Sequence, residues 1–303
     1  MINQFIIEIQ KILYFGIFQF KTFFLYWIIG IVSGSILTVF AADKISLLVA
    51  RLNDNRFSIR NALIATMLGA ASPICMYGTI PLVAVLSRKG VADYLIAAFM
   101  VSSILINPNL FIFSLALGVP LAFTRLFLSQ VAGIIAGLMI YIFFRKKQFF
   151  CFKDFKGEFK TKYRQPSLKI LIYDIYRAIR ITGPFFLIGL ILTALSERYL
   201  SQELIKISFG DNYHLGVILA ASLGVPIYVC GGGTIPLLKT WLDNGMAPGA
   251  AIAFMIMGPA TKITNLSALK IILGIKNLSL FILFNLSFAV LSGIMINWLC
   301  QQF

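Results

Sequence analysis

Charge is scarce in this chain, and acid is scarcest. Charged residues make up 12% of its 303 residues, and Asp and Glu together number 11. A soluble globular chain carries about 25% charge, so a water-soluble enzyme of this length is excluded. Histidine occurs once, at His214, and there is no HExxH or GxSxG string. The zinc-protease and serine-hydrolase signatures are therefore missing, and no enzyme activity is expected. No Walker motif is present, so this chain alone is not expected to use ATP. Four cysteines stand apart at positions 75, 151, 230 and 300 without a CxxC, which argues against a zinc knuckle or a disulfide framework. Glu8 and Lys11 interrupt the first apolar stretch and no small-residue cleavage site follows, so no removable signal peptide is expected. The strict apolar/polar alternation of outer-membrane barrels is also missing.

Hydrophobic letters are abundant, at 59%, with 28 Phe, 11 Tyr and 3 Trp. That composition excludes disorder. It predicts an all-α polytopic membrane protein, multi-pass in the inner (cytoplasmic) membrane, with lipids around it. The clearest apolar runs are 23–42, 122–144, 181–195 and 278–300. Four more, at about 61–87, 91–118, 215–242 and 247–269, are interrupted by Pro, Gly and Asn. Each is near the length a span needs, giving eight membrane segments, four per half. Residues 1–21 and 168–180 read as amphipathic lead-ins near the interface. The net charge of +15 reads as a marker of cytoplasmic loops rather than of nucleic-acid binding. Nine Lys/Arg fall in 145–169, a basic cytoplasmic loop resting on anionic headgroups. It separates a first membrane repeat, 1–144, from a second, 170–303.

The two parts share a motif. Cys75-Met-Tyr-Gly-Thr-Ile-Pro-Leu82 matches Cys230-Gly-Gly-Gly-Thr-Ile-Pro-Leu237 at six of eight positions. At the same offset of 155, Gly90 meets Gly245, Ala92 meets Ala247, and Ala98-Phe99-Met100 meets Ala253-Phe254-Met255. Two homologous four-segment repeats with broken or re-entrant helices are the expected architecture. In hydrocarbon an unsatisfied peptide group costs several kcal/mol, so broken segments survive only where protein or a cavity covers them. Matching breaks in two halves point to a substrate site near the midplane. The expected substrate-binding residues are Cys75, Gly78, Thr79, Pro81, Asn107, Cys230, Gly231, Gly232, Gly233, Thr234, Pro236, Thr261, Lys262 and Asn265. Lys262 is the only charge between Asp243 and Lys270 and aligns with Asn107. An ionisable group at membrane depth is a functional candidate. Segment 61–87 is either one broken span or a hairpin that returns to its starting side. The Lys/Arg bias favours hairpins and halves of opposite orientation, as in inverted-repeat transporters.

These residues resemble the ArsP-type permease family. The resemblance rests on Pro73-Ile-Cys75 through Pro81-Leu82, Gly90, Ala98-Phe99, then Cys230–Leu237, Gly245, Ala253-Phe254 and Gly258-Pro259-Ala260-Thr261. It implies a secondary transporter exporting a small soft metalloid or metal species, such as trivalent organoarsenicals. A permease for another small solute, or a passive channel of the same architecture, is the alternative. Many family members carry Cys-Ser-Cys at the first break, where this chain has Cys75-Met-Tyr, and Ile104 stands where a proline is expected. Two thiols, Cys75 and Cys230, occupy equivalent positions. With Met76 they are the candidate soft-metal ligands. No cofactor and no nucleic-acid partner are expected, and a homo-oligomer is compatible with the sequence.

Overall fold

The computed structural model describes residues 2–40, 42–52, 57–72, 79, 82–84, 86–87, 90–144, 149–150, 167–211, 213–228 and 231–302. Their secondary structure is helical throughout. In chain order the helices are α1 (Ile2–Phe40), α2 (Ala42–Arg51), α3 (Ile59–Ala71), α4 (Asp93–Leu105), α5 (Pro108–Leu115), α6 (Val119–Phe143), α7 (Leu168–Tyr199), α8 (Gln202–Ile205, continued by a π-turn, Lys206–Asp211), α9 (Tyr213–Ile227), α10 (Gly231–Asp243), α11 (Pro248–Thr261) and α12 (Ile263–Gln302). Thr79, 82–84 and 86–87 are helical as well.

Among the described residues five stretches are long and apolar enough to cross a membrane: Tyr14–Phe40, Asp93–Leu115, Val119–Phe143, Leu168–Tyr199 and Leu269–Gln302. The sequence offered eight segments; the helices Ile59–Ala71, His214–Ile227 and Pro248–Thr261 are shorter than a span. Their ends follow from local chemistry. Helix α3 stops at Ser72 because the next residue is Pro73, which disfavours a helical conformation before it. Helix α4 gives way to α5 at Asn107-Pro108. The Asn107 side chain accepts from the Leu110 amide at 2.9 Å, and Pro108 opens the new helix where no amide hydrogen is needed. The expected lead-ins are not separate elements: α1 and α7 run unbroken from lead-in into span.

Packing recurs along the chain. Helices α3, α4 and α6 form one group; α9, α11 and α12 form another; α1 and α7 pack on each other and against α5 and α10. Gly137 on α6 approaches α4 so closely that a β-carbon there would lie 2.9 Å from the Tyr94 carbonyl oxygen. On α12, Gly293 stands in the same relation to Gly249 on α11, at 2.7 Å. Gly90 and Gly245 both turn with positive φ, 79° and 97°, just before α4 and α11. Helices α4 and α11 are buried almost throughout and touch each other at the centre of the molecule. Large apolar side chains such as Phe127, Ile142, Leu283 and Leu291 are exposed on the outside, as lipid-facing surfaces require.

The short helices leave and come back. Phe209, ahead of α9, accepts a hydrogen bond from the Ala247 amide, beyond α10, at 3.1 Å. Phe57, ahead of α3, lies 5.3 Å ring to ring from Tyr94 at the start of α4. In both cases residues that flank the short helices are neighbours. The ends differ in position along α12. On one side, Asp93 holds the Phe149 amide at 3.1 Å and Asn277 donates to the Phe149 carbonyl at 2.8 Å. On the other, Asn297 accepts from the Gly249 amide at 2.7 Å. Both asparagines lie on α12 beyond its break at Gly274, separated along one continuous helix by roughly 30 Å at about 1.5 Å per residue.

Candidate functional site

Thr79 is buried, with its hydroxyl 3.4 Å from that of Ser103 on α4. Gly231, Gly232 and Gly233 form the first turn of α10. A side chain at Gly231 would meet Leu110, one at Gly232 would meet Trp27 at 2.9 Å, and one at Gly189 on α7 would run into the Gly233 backbone. Glycine is required here by close approach of three helices, α1, α5 and α7. Thr234 follows, buried, and its hydroxyl has no hydrogen-bond partner among the described residues. Pro236 is buried one turn further along.

On the other broken segment, Thr261 is buried at the end of α11 and bonds back to the Met257 carbonyl at 2.7 Å. Lys262 caps α11 and extends its ammonium over the Phe185 ring of α7, 5.1 Å from the centroid. Asn265 donates to the Pro259 carbonyl at 2.8 Å. Proline lacks an amide hydrogen and loosens the local ladder, so Asn265 ties the two sides of the break together. Asn107 does the equivalent work as the N-cap of α5. Cys75, Met76, Gly78, Pro81 and Cys230 lie outside the described residues, as does most of the basic loop. Among the described residues no cluster of His, Cys, Asp or Glu could hold a metal.

One residue was missed by the sequence reading. Arg125, on α6, is 1% exposed and is the largest fully buried side chain among the described residues. Its Nη1 donates to Ser114 Oγ at 2.7 Å and its Nη2 to the Leu105 carbonyl at 3.0 Å. Tyr228, between α9 and α10, also hydrogen-bonds the guanidinium. The signal available in the sequence was a single charge in an otherwise uncharged apolar run, 119–143.

Comparison with known proteins agrees with this architecture in class. Over 76 residues the chain is 36% identical to the UPF0718 protein YcgR of Bacillus subtilis, covering 25% of this chain and 26% of that protein. Over 142 residues it is 20% identical to the UPF0718 protein MJ0584 of Methanocaldococcus jannaschii, covering 46% of this chain and 39% of that protein. The matches thus span well under half the length of these curated relatives. No solved structure matches the chain. A family described as "predicted permease" matches residues 9–298, and the chain belongs to this ArsP-type permease family.

Proposed function

We propose that the chain is a secondary permease built from two inverted repeats. Its two short helical excursions enter the membrane from opposite sides and meet at a midplane solute site. The observation that carries this reading is the pair of contacts on α12. The feet of the first excursion share an end of the bundle with Asn277, through Asp93 and Phe149, while those of the second share the end with Asn297, through Gly249. The rise between those asparagines, roughly 30 Å, equals a hydrocarbon core. Two tips that enter from opposite faces suit a solute site reached alternately from each side. The broken backbone that such a site needs is covered by α1, α5 and α7, which fits the rule for irregular backbone in membranes.

The cargo we propose is a small soft metalloid or metal species such as a trivalent organoarsenical, moved outward. Family membership and the equivalent cysteines, Cys75 and Cys230, support this choice, because thiolates suit soft centres. Uptake into everted vesicles is the test, with a panel of arsenicals, antimonials and metal ions. Uphill uptake that depends on an ion gradient, and is lost in Cys75→Ser and Cys230→Ser, is the expected result. Downhill flux alone would identify a channel. Unchanged export in the double variant would remove the thiols from the site.

A further inference from the structure

Arg125 carries a charge that protein surroundings do not titrate away. Its partners are Ser114 Oγ, the Leu105 carbonyl and the Tyr228 hydroxyl, and none of them is a carboxylate. Its Nε has no partner among the described residues, and no described carboxylate pairs with it. Leu105 ends α4, so its carbonyl contributes the partial negative charge of a helix C-terminus and no more. A buried guanidinium at membrane depth without a counter-charge is an incomplete arrangement, and such residues mark ion and substrate paths.

Its surroundings are short of acceptors. The Tyr228 oxygen that touches the guanidinium lies 3.5 Å from where a Gly231 β-carbon would stand. Arg125 therefore neighbours the N-terminus of α10, where amide hydrogens lack helical partners and the dipole is positive. The buried Thr234 hydroxyl, without a partner among the described residues, lies on the first turn of the same helix. Leu110 and Phe113 of α5 fill the space before Gly231, and Ser114 of the same short helix holds the guanidinium. Displacing α5 would open that space and release Nη1 in one movement.

We infer that Arg125 is the anion-recognising residue of the transport site, and that the cargo presents a carboxylate or other oxyanion group to it, with Tyr228 and the first turn of α10 completing the site. The guanidinium fork matches two oxygens of such a group. This deepens the permease reading, on which the purpose of the site rests: a soft metalloid would travel as an anionic species, not a neutral one.

The test is thermal unfolding of the purified full chain in uncharged detergent, with sodium acetate, sulfate or arsenate titrated against sodium chloride at matched ionic strength. Acetate reports carboxylate recognition, and the other two report inorganic oxyanions. The wild-type Tm should rise saturably with at least one of them, above the chloride control. Arg125→Gln should lose that dependence. Arg125→Lys keeps the charge without the fork and should shift the midpoint upward roughly tenfold. Absence of any saturable rise in the wild type would overturn the inference, as would an equal rise in Arg125→Gln. Should Arg125→Gln not fold, a wild-type midpoint in Arg125→Lys would overturn it instead. Binding is read without transport, so the two readings fail separately. Arsenical uptake with no anion effect leaves the permease and removes this site; anion binding without any uptake does the reverse.

Discussion

Thr79 and Thr234 stand 155 residues apart in matching motifs, yet only the first has an identified hydroxyl partner, Ser103. The residue 155 beyond Ser103 is Gly258, which has no side chain to offer and lies flat against the Tyr228 ring. The same contrast runs through both halves. Ser102 bonds the Thr66 carbonyl at 2.9 Å, where the second half has Met257. Asn107 faces Lys262 in the alignment. Arg125 falls opposite Phe281, using the offset of 156 that pairs Gly137 with Gly293 beyond the breaks. What the halves keep in common is small residues at helix crossings and glycine at turns. What they do not share is polar filling. The second half has no counterparts of Ser103, Ser114 or Arg125, and that difference motivates the role proposed for the first-half polar cluster.

The comparison breaks most sharply at the shared crossings. Gly137→Val and Gly293→Val each drive a side chain into a backbone oxygen that has no room to yield. Each should cost about 1–3 kcal/mol, or more, by overpacking, seen as reduced Tm in detergent. A large loss in one and none in the other would show that the halves are not packed alike. Next in size is the pair of asparagines on α12. Asn297→Ala strands a buried Gly249 amide and should cost about 1–3 kcal/mol, whereas Asn277→Ala removes a part-buried bond worth about 1 kcal/mol. Equal losses would undo the distinction between these two ends.

Smaller effects sharpen the difference in filling. Asn107→Ala removes an N-cap and should lower stability by about 1 kcal/mol. Lys262→Met, at the aligned position, loses a cation–π contact worth about 0.5–1 kcal/mol and should leave Tm nearly unchanged while altering transport. A Tm loss from Lys262→Met exceeding that from Asn107→Ala would make the lysine a structural pin. Smallest is Ser103→Ala, expected to cost about 0.5 kcal/mol, the low end for a hydrogen bond, because one weak contact at 3.4 Å to Thr79 is lost.

Much of the framework was legible in the residues. Asn107-Pro108 writes a helix stop and start in two letters, and Ser72-Pro73 ends α3 by the same backbone chemistry. Gly90 and Gly245, aligned in the sequence, both turn with positive φ. Two things were not legible. Hydropathy gives the length of an apolar segment but not its direction, so a broken span and a hairpin were both open, and the hydrogen bond from the Ala247 amide to Phe209 had no signature in the sequence. Arg125 was visible as a charge but not as a site, because its partners come from Leu105, Ser114 and Tyr228, and the last is about a hundred positions away in the chain. The lead-ins were drawn as separate interfacial helices, yet neither α1 nor α7 contains a stop strong enough to part lead-in from span.

Opposite orientation of the halves is most directly tested by labelling Arg51→Cys and Lys206→Cys, aligned and both exposed, in a chain whose four native cysteines are replaced by serine. An impermeant thiol reagent applied to intact cells should reach the cysteine at 206 and not the one at 51, with the second reacting only after permeabilisation. Labelling both in intact cells, or neither, would contradict inverted halves.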